Sequence, residues 1–198
     1  IGYFSSNFCS HSTMVQFIRV LELHNKDKFE IYIYDFGGHK EDVYTKRVKE
    51  CATKYHLVEG LSNPDLVNLA RKDELDIGVD LMGYTFNNRA IIFSQRIAPI
   101  QVMYLDYTGT TGNESMDYIL SDAIAIPKED EKFYTEKVIR MPYSHQAVDD
   151  TLEASNTIFT RSELGISEDR FVFCNIAKNQ KIQRKEFQIW MQLLLKRE

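Results

Sequence analysis

Short runs rich in Ile, Val, Leu and Tyr alternate along this chain with stretches whose apolar residues recur at helical spacing. No other feature constrains the fold as much. Strands joined through helices lie parallel, and a parallel sheet needs cover on both faces. Residues 1–4 ("IGYF") read as a short strand, 28–36 ("KFEIYIYDF") as a second, and "HLVEG" as a brief third. "LDIGVDLMGYT", which ends at Gly83, "APIQVMYLDYTGTTG", "MDYILSD" and "KVIRMP" continue the series. Between them, Met14, Phe17, Ile18 and Leu21 fall on one helical face, and a charged segment over 41–54 reads as helix. "SNPDLVNLARKDEL" has a cap residue, a proline in its first turn and Leu66, Leu69 and Ala70 on one side, so it predicts a helix. Another is expected near Arg89–Arg96.

A hydrophobic fraction of 43% and 198 residues suffice for one well-buried domain and part of another. The expected division is an N-terminal lobe over 1–145, a polar linker over 146–160, and the opening of a second α/β unit over 161–198. That unit should contribute a strand from Arg170 to Asn175 and a helix striped by Phe187, Trp190, Met191 and Leu194. The chain opens on a strand already under way and without an initiator Met, which reads as a fragment.

Several function classes drop out. A net charge of −5 argues against a nucleic-acid binder, which carries a basic face. No run is apolar for long enough to span a bilayer as a helix. Cys9, Cys51 and Cys174 are widely spaced, form no zinc pattern and suit a reducing, intracellular setting. No Ser-His-Asp arrangement, metal cluster or dinucleotide fingerprint is legible.

In an open α/β sheet, ligands bind beyond the carboxyl ends of the strands. Three such ends carry unusual loops: "SSNFCSHST" with His11 just before a helix, "MGYT", and "LDYTGTTG". Glycines let backbone approach a ligand, and hydroxyls add hydrogen bonds without bulk. A fourth loop, "IAKNQKI", sets Lys178 and Lys181 before a helix start, which favours anions. Each has a plainer reading. Glycines after strands turn the chain, a histidine at a helix start caps it, and loop lysines are solvated. Spacing alone supports an α/β protein with ligand loops at its strand ends.

The ordered set "IGYFSSNFCSHST", "VDLMGYT", "APIQVMYLDYTGTTG", "MDYILSD", "RMP" and "TRSELGISEDRFVFCNIAKNQKI" resembles the catalytic region of the O-linked N-acetylglucosamine transferases. That family includes plant Spindly-type O-fucosyltransferases and bacterial relatives. The resemblance implies a Rossmann-like lobe of a GT-B glycosyltransferase fold plus the first strand and helix of a second, nucleotide-binding lobe. It also implies inverting, metal-independent transfer of N-acetylglucosamine from UDP-GlcNAc to Ser or Thr of acceptor proteins, with no cofactor and with tetratricopeptide repeats upstream. His11 matches the family's active-site histidine, and Thr13 a threonine near the sugar. Leu105 falls in the donor-sugar loop, and Lys181 matches the lysine that binds the donor diphosphate. A cation there stabilises the charge gathering on a departing diphosphate.

The match has departures. The family's "SSDFGNHPT" is "SSNFCSHST" here, so Asn7 stands for an acid and Ser12 for a proline. "LGYPGTSG" is "LDYTGTTG", so Asp106 stands for glycine and Thr108 for proline, and Lys178 replaces an amide. Two alternatives therefore stay open: a non-catalytic relative acting as a protein-binding module, and a transferase using another donor such as GDP-fucose.

Overall fold

In the structure, a computed structural model that describes residues 1–196, the chain divides into two units, 1–152 and 153–198. The first is built on seven strands: β1 Gly2–Ser5, β2 Tyr32–Asp35, β3 Lys54–Leu57, β4 Ile77–Asp80, β5 Ile100–Met103, β6 Tyr118–Ser121 and β7 Lys137–Arg140. All neighbours pair in parallel, in the order β3-β2-β1-β4-β5-β6-β7. The chain winds outward from β1 through β2 to β3, then returns to the other side of β1 and winds the opposite way. The reversal lies between β1 and β4, and this doubly wound order opens a crevice there.

Both faces of the sheet are covered. Tyr3, Ile33, Val79 and Val102 point to one face and pack with Met14, Phe17, Ile18 and Leu21 of helix α1 (Ser12–Glu22) and Val48 of α2 (Val43–Cys51). Their neighbours Phe4, Tyr34 and Met103 point to the other, with Leu66 and Ala70 of α3 (Asn63–Lys72) and Phe93. Side chains alternate along each strand while both faces stay apolar, which is why the sequence shows no polar–apolar rhythm. Phe4 stacks on Tyr34 with ring centroids 4.2 Å apart.

Local chemistry sets the helix starts. His11 caps α1, Asp42 and Thr45 form a reciprocal capping box on α2, and Ser62 caps α3 with Pro64 in the first turn. Two elements differ in kind from expectation. The segment expected as helix near Arg89–Arg96 is a 3-10 helix, Ala90–Gln95, and a further 3-10 helix, Lys128–Phe133, interrupts a stretch with no expected element.

The first unit also extends past residue 145. Polar composition marks 146–160 as linker, yet Asp149 is 2% exposed and bonded to Arg47 at 2.8 Å. His145 Nδ1 lies 2.6 Å from Asp122. These contacts of the buried Asp149 and Asp122 hold this polar segment to the domain as far as Leu152.

In the second unit, helix α4 (Arg184–Leu195) forms as expected, preceded by a 3-10 turn, Asn179–Lys181. The expected strand over 170–175 does not form. Phe171, Val172 and Phe173 stay exposed, and among the described residues the segment 172–175 joins no ladder, which a strand requires. The apolar stripe of α4 is likewise uncovered at Phe187, Met191 and Leu194, while Trp190 is half-buried.

Candidate functional site

Three loops of the first unit meet at the reversal of strand order. From the end of β1, Ser5 Oγ accepts a hydrogen bond from Asn7 N at 3.0 Å and donates to Met82 Sδ at 3.1 Å. The chain then crosses to His11, which opens α1. His11 Nδ1 lies 2.8 Å from Thr13 Oγ1 and 3.3 Å from Thr13 N. The imidazole is exposed, whereas Thr13 is buried at 1%.

At the end of β4, Asp80 is 2% exposed and its Oδ1 accepts from Met82 N at 2.9 Å and Gly83 N at 3.2 Å. Its Oδ2 is buried with no hydrogen-bond partner among the described residues. Burial pushes this carboxyl up to about 7 and the nearby Asp106 charge adds to the rise, while the two backbone N–H groups oppose it. Gly83 takes φ of +54°, and a side chain there would meet Tyr107 Cβ at 2.6 Å. Only glycine allows the β4 loop to lie this close to the β5 loop.

The β5 loop supplies the third side. Leu105 adopts φ of +88°, rare for a residue with a Cβ, and its side chain is buried in the core on the α1 face. The turn brings Asp106 back over the β1 loop. Asp106 Oδ2 accepts from Thr13 Oγ1 at 2.6 Å and from Asn7 Nδ2 at 3.1 Å. Burial pushes the Asp106 carboxyl up from its ordinary value, and those two hydrogen bonds and His11 pull against it. Beyond Asp106 the small-residue run is tied down by Glu136, which accepts from Thr110 Oγ1, Thr111 N and Thr111 Oγ1. The glycine-rich backbone is therefore anchored from β7's side of the sheet.

The expected site residues divide accordingly. His11, Thr13 and Asp106 converge, and Leu105 sets the turn that brings Asp106 in. Thr108 is exposed and outside this cluster, its carbonyl accepting from Tyr134 at 2.8 Å. Lys178 and Lys181 lie in the second unit, both exposed, at the 3-10 turn that precedes α4. Sequence reasoning missed Asp80 and the thioether of Met82, to which Ser5, Ser6 and Asn7 donate. An aspartate closing an apolar strand just before "LMG" was the available signal. Reasoning also treated Asn7 and Asp106 as separate departures, although they are hydrogen-bonded to each other. Among the described residues, no three His, Cys, Asp or Glu side chains converge as a metal would need, and no helix is long and apolar enough to cross a membrane.

The family model of glycosyl transferase family 41 matches residues 1–151, the whole of this strand-and-loop framework. The chain belongs to that family. It is 28% identical over 98% of its length to a probable UDP-N-acetylglucosamine–peptide N-acetylglucosaminyltransferase, SEC, of Arabidopsis thaliana. It is 30% identical over 98% of its length to the rice protein SPINDLY, named for the same probable activity. These alignments cover 20% and 21% of the relatives, so the chain spans about a fifth of their length. A worm enzyme of the same name, from Caenorhabditis elegans, is 34% identical over 73% of the chain and 13% of its own length. Among solved structures, a mutant of the Thermobaculum terrenum O-GlcNAc transferase superposes with a TM-score of 0.70 at 30% identity, covering 73% of this chain and 28% of that one. The family 41 chain thus carries the Rossmann-like lobe of a GT-B glycosyltransferase.

Proposed function

We propose that this chain is the acceptor-side lobe, with the opening of the nucleotide-binding lobe, of an inverting and metal-independent protein O-glycosyltransferase. Its donor is UDP-GlcNAc and its acceptors are Ser and Thr of intracellular proteins. The observation that carries this reading is the convergence of His11, Thr13 and Asp106 at the strand-order reversal of a family 41 lobe. The relatives' names supply the donor and the peptide acceptor. In this reading His11 takes the proton of the acceptor hydroxyl as its oxygen bonds to the anomeric carbon. The bond from that carbon to the phosphate oxygen breaks, and its electron pair leaves with UDP. Lys181 stabilises the leaving diphosphate and Lys178 adds positive charge beside it. Leu105, Asp106 and Thr108 belong to the donor-sugar side. Tetratricopeptide repeats in the complete gene product would deliver the acceptor. The three unpaired cysteines suit the reducing cytoplasm or nucleus.

The test is turnover by the complete gene product with a panel of UDP and GDP sugars. Transfer from UDP-GlcNAc to protein, reduced roughly 100-fold or more by Lys181→Ala, is the expected result. Preference for GDP-fucose would reassign the donor. A second reading, a non-catalytic protein-binding relative, draws on one observation: the Asp106 carboxylate stands where the family's sugar loop has glycine. Absence of turnover from folded protein with every donor would favour it.

A further inference from the structure

The relay at the head of α1 has more parts than a histidine needs for capping a helix. Thr13 Oγ1 has one proton and faces two acceptors, Asp106 Oδ2 at 2.6 Å and His11 Nδ1 at 2.8 Å. Asn7 Nδ2 approaches the same hydroxyl at 3.3 Å and can only donate to it. A carboxylate takes a hydroxyl proton more strongly than a neutral imidazole nitrogen does. The hydroxyl proton therefore goes to Asp106, and Thr13 Oγ1 is left to accept. The group that can donate to it at 2.8 Å is Nδ1–H of His11.

A second interaction pulls the other way. The backbone N–H of Thr13 points at Nδ1 from 3.3 Å, and as a cap it needs Nδ1 without its proton. Two tautomers of His11 are thus in competition. One puts the proton on Nδ1, toward Thr13 and Asp106, and bares Nε2. The other satisfies the cap and protonates Nε2.

We propose that Asp106 is the positioning residue of His11: acting through the Thr13 hydroxyl, it holds the imidazole in the Nδ1–H tautomer and leaves Nε2 as the exposed proton acceptor. A base must present a lone pair to the incoming hydroxyl, and fixing the tautomer by the bond at the other nitrogen is how such a base is set. Asn7 completes the arrangement. Its amide donates to Asp106 Oδ2 and keeps the carboxylate oriented without competing for the Thr13 proton. The carboxylate that serves His11 reaches it from the β5 loop, 93 residues along the chain from Thr13.

This inference rests on the proposed role of His11, but its first test needs no donor sugar. The measurement is the nitrogen-15 NMR spectrum of the histidine rings in the labelled 198-residue chain at neutral pH, with His11 assigned by its loss in His11→Gln. The expected spectrum shows the protonated nitrogen at Nδ1. Asp106→Gly removes the competing acceptor, frees the Thr13 hydroxyl to donate to Nδ1, and should move the proton to Nε2. The double variant Asn7→Asp/Asp106→Gly should return it to Nδ1, because position 7 already lies within 3.3 Å of Thr13 Oγ1. Should loss of Asp106 disturb the loop, the near-isosteric Thr13→Val cuts the relay at its middle and should also favour Nε2–H. Wild-type His11 in the Nε2–H form, or an Nδ1–H form unchanged by both Asp106→Gly and Thr13→Val, would overturn the proposal. In the active gene product, Asp106→Gly should lower kcat about 10-fold or more with KM for donor little changed. If turnover is absent but the tautomer follows Asp106, the positioning stands and the transferase reading fails. If turnover is present but the tautomer ignores Asp106, the reverse holds.

Discussion

The two units of this chain are written in the same sequence idiom and fold differently. In 1–152, runs such as "GYFS" and "IGVD" become paired strands with both faces covered. In the second unit, "RFVFCN" has the same composition, lies before an equally amphipathic helix, and takes no strand structure. The difference is partnership. Each strand of the first unit borrows its hydrogen bonds from a neighbour far along the chain, as β1 does from β2 and β4. Over 172–176 no strand pairing forms among the described residues. An apolar run records the capacity to be a strand, and the ladder that realises it is a property of the whole sheet.

The sharpest way to test that contrast is to cut one side chain from each unit. Phe4, fully buried against Tyr34 and Phe93, should cost about 3–5 kcal/mol on truncation to Ala, measured by denaturant unfolding. Ile176, 97% exposed, should change stability by less than about 0.5 kcal/mol on the same substitution. Comparable losses at both positions would erase the distinction.

The C-terminal end of the first unit gives the next largest effect. Asp149 is held down to about 2 by the Arg47 guanidinium. Its carboxylate thus supports the fold above its ordinary range, and that support is lost as pH falls from about 4 toward 2. Asp149→Ala should cost about 1–3 kcal/mol at pH 7, because Arg47 keeps some solvent contact. It should also open residues 145–152 to limited proteolysis. Unchanged cleavage would return this segment to the linker that its composition suggests.

Asp80 gives the opposite sign and a smaller effect. Its carboxyl is pushed up to about 7, so between about 4 and 7 the folded chain holds a proton that the unfolded chain has released. Stability should therefore fall as pH rises through that window and level off above it. Asp80→Asn should flatten the slope, by something on the order of 1–2 kcal/mol. A slope indifferent to the substitution would mean that other groups carry it. In hydrogen exchange, amides of β1 and β4 should be protected to near the global stability, while those over 172–176 exchange freely.

These contrasts also mark what the sequence could disclose. Helix α1 was legible in the spacing of Met14, Phe17, Ile18 and Leu21, and α3 in its serine, proline and apolar side, because a helix is specified by residues within one turn of each other. The parallel character of the sheet followed from the alternation of elements. His11 was readable as a cap, and it caps α1 beside Thr13 and Asp106. What stayed hidden depends on distance along the chain. The Asn7–Asp106 bond joins residues 99 apart, and the Asp149 tether crosses 102. Neither leaves a local pattern, since both arise from the order in which strands are laid down. The buried Asp80 was hidden for another reason: polarity argues for the surface, and only packing shows otherwise.

The facing pair at positions 7 and 106 also restricts how such a chain can drift. Aspartate at both would press two anions together in a partly dry crevice, and at neither would leave the Thr13 hydroxyl with no carboxylate to serve. A single exchange at either position passes through one of those two disfavoured states. The substitutions at 7 and 106 should therefore be inherited as a pair, and a lineage that has moved the charge from one loop to the other would find the return path as narrow as the way out.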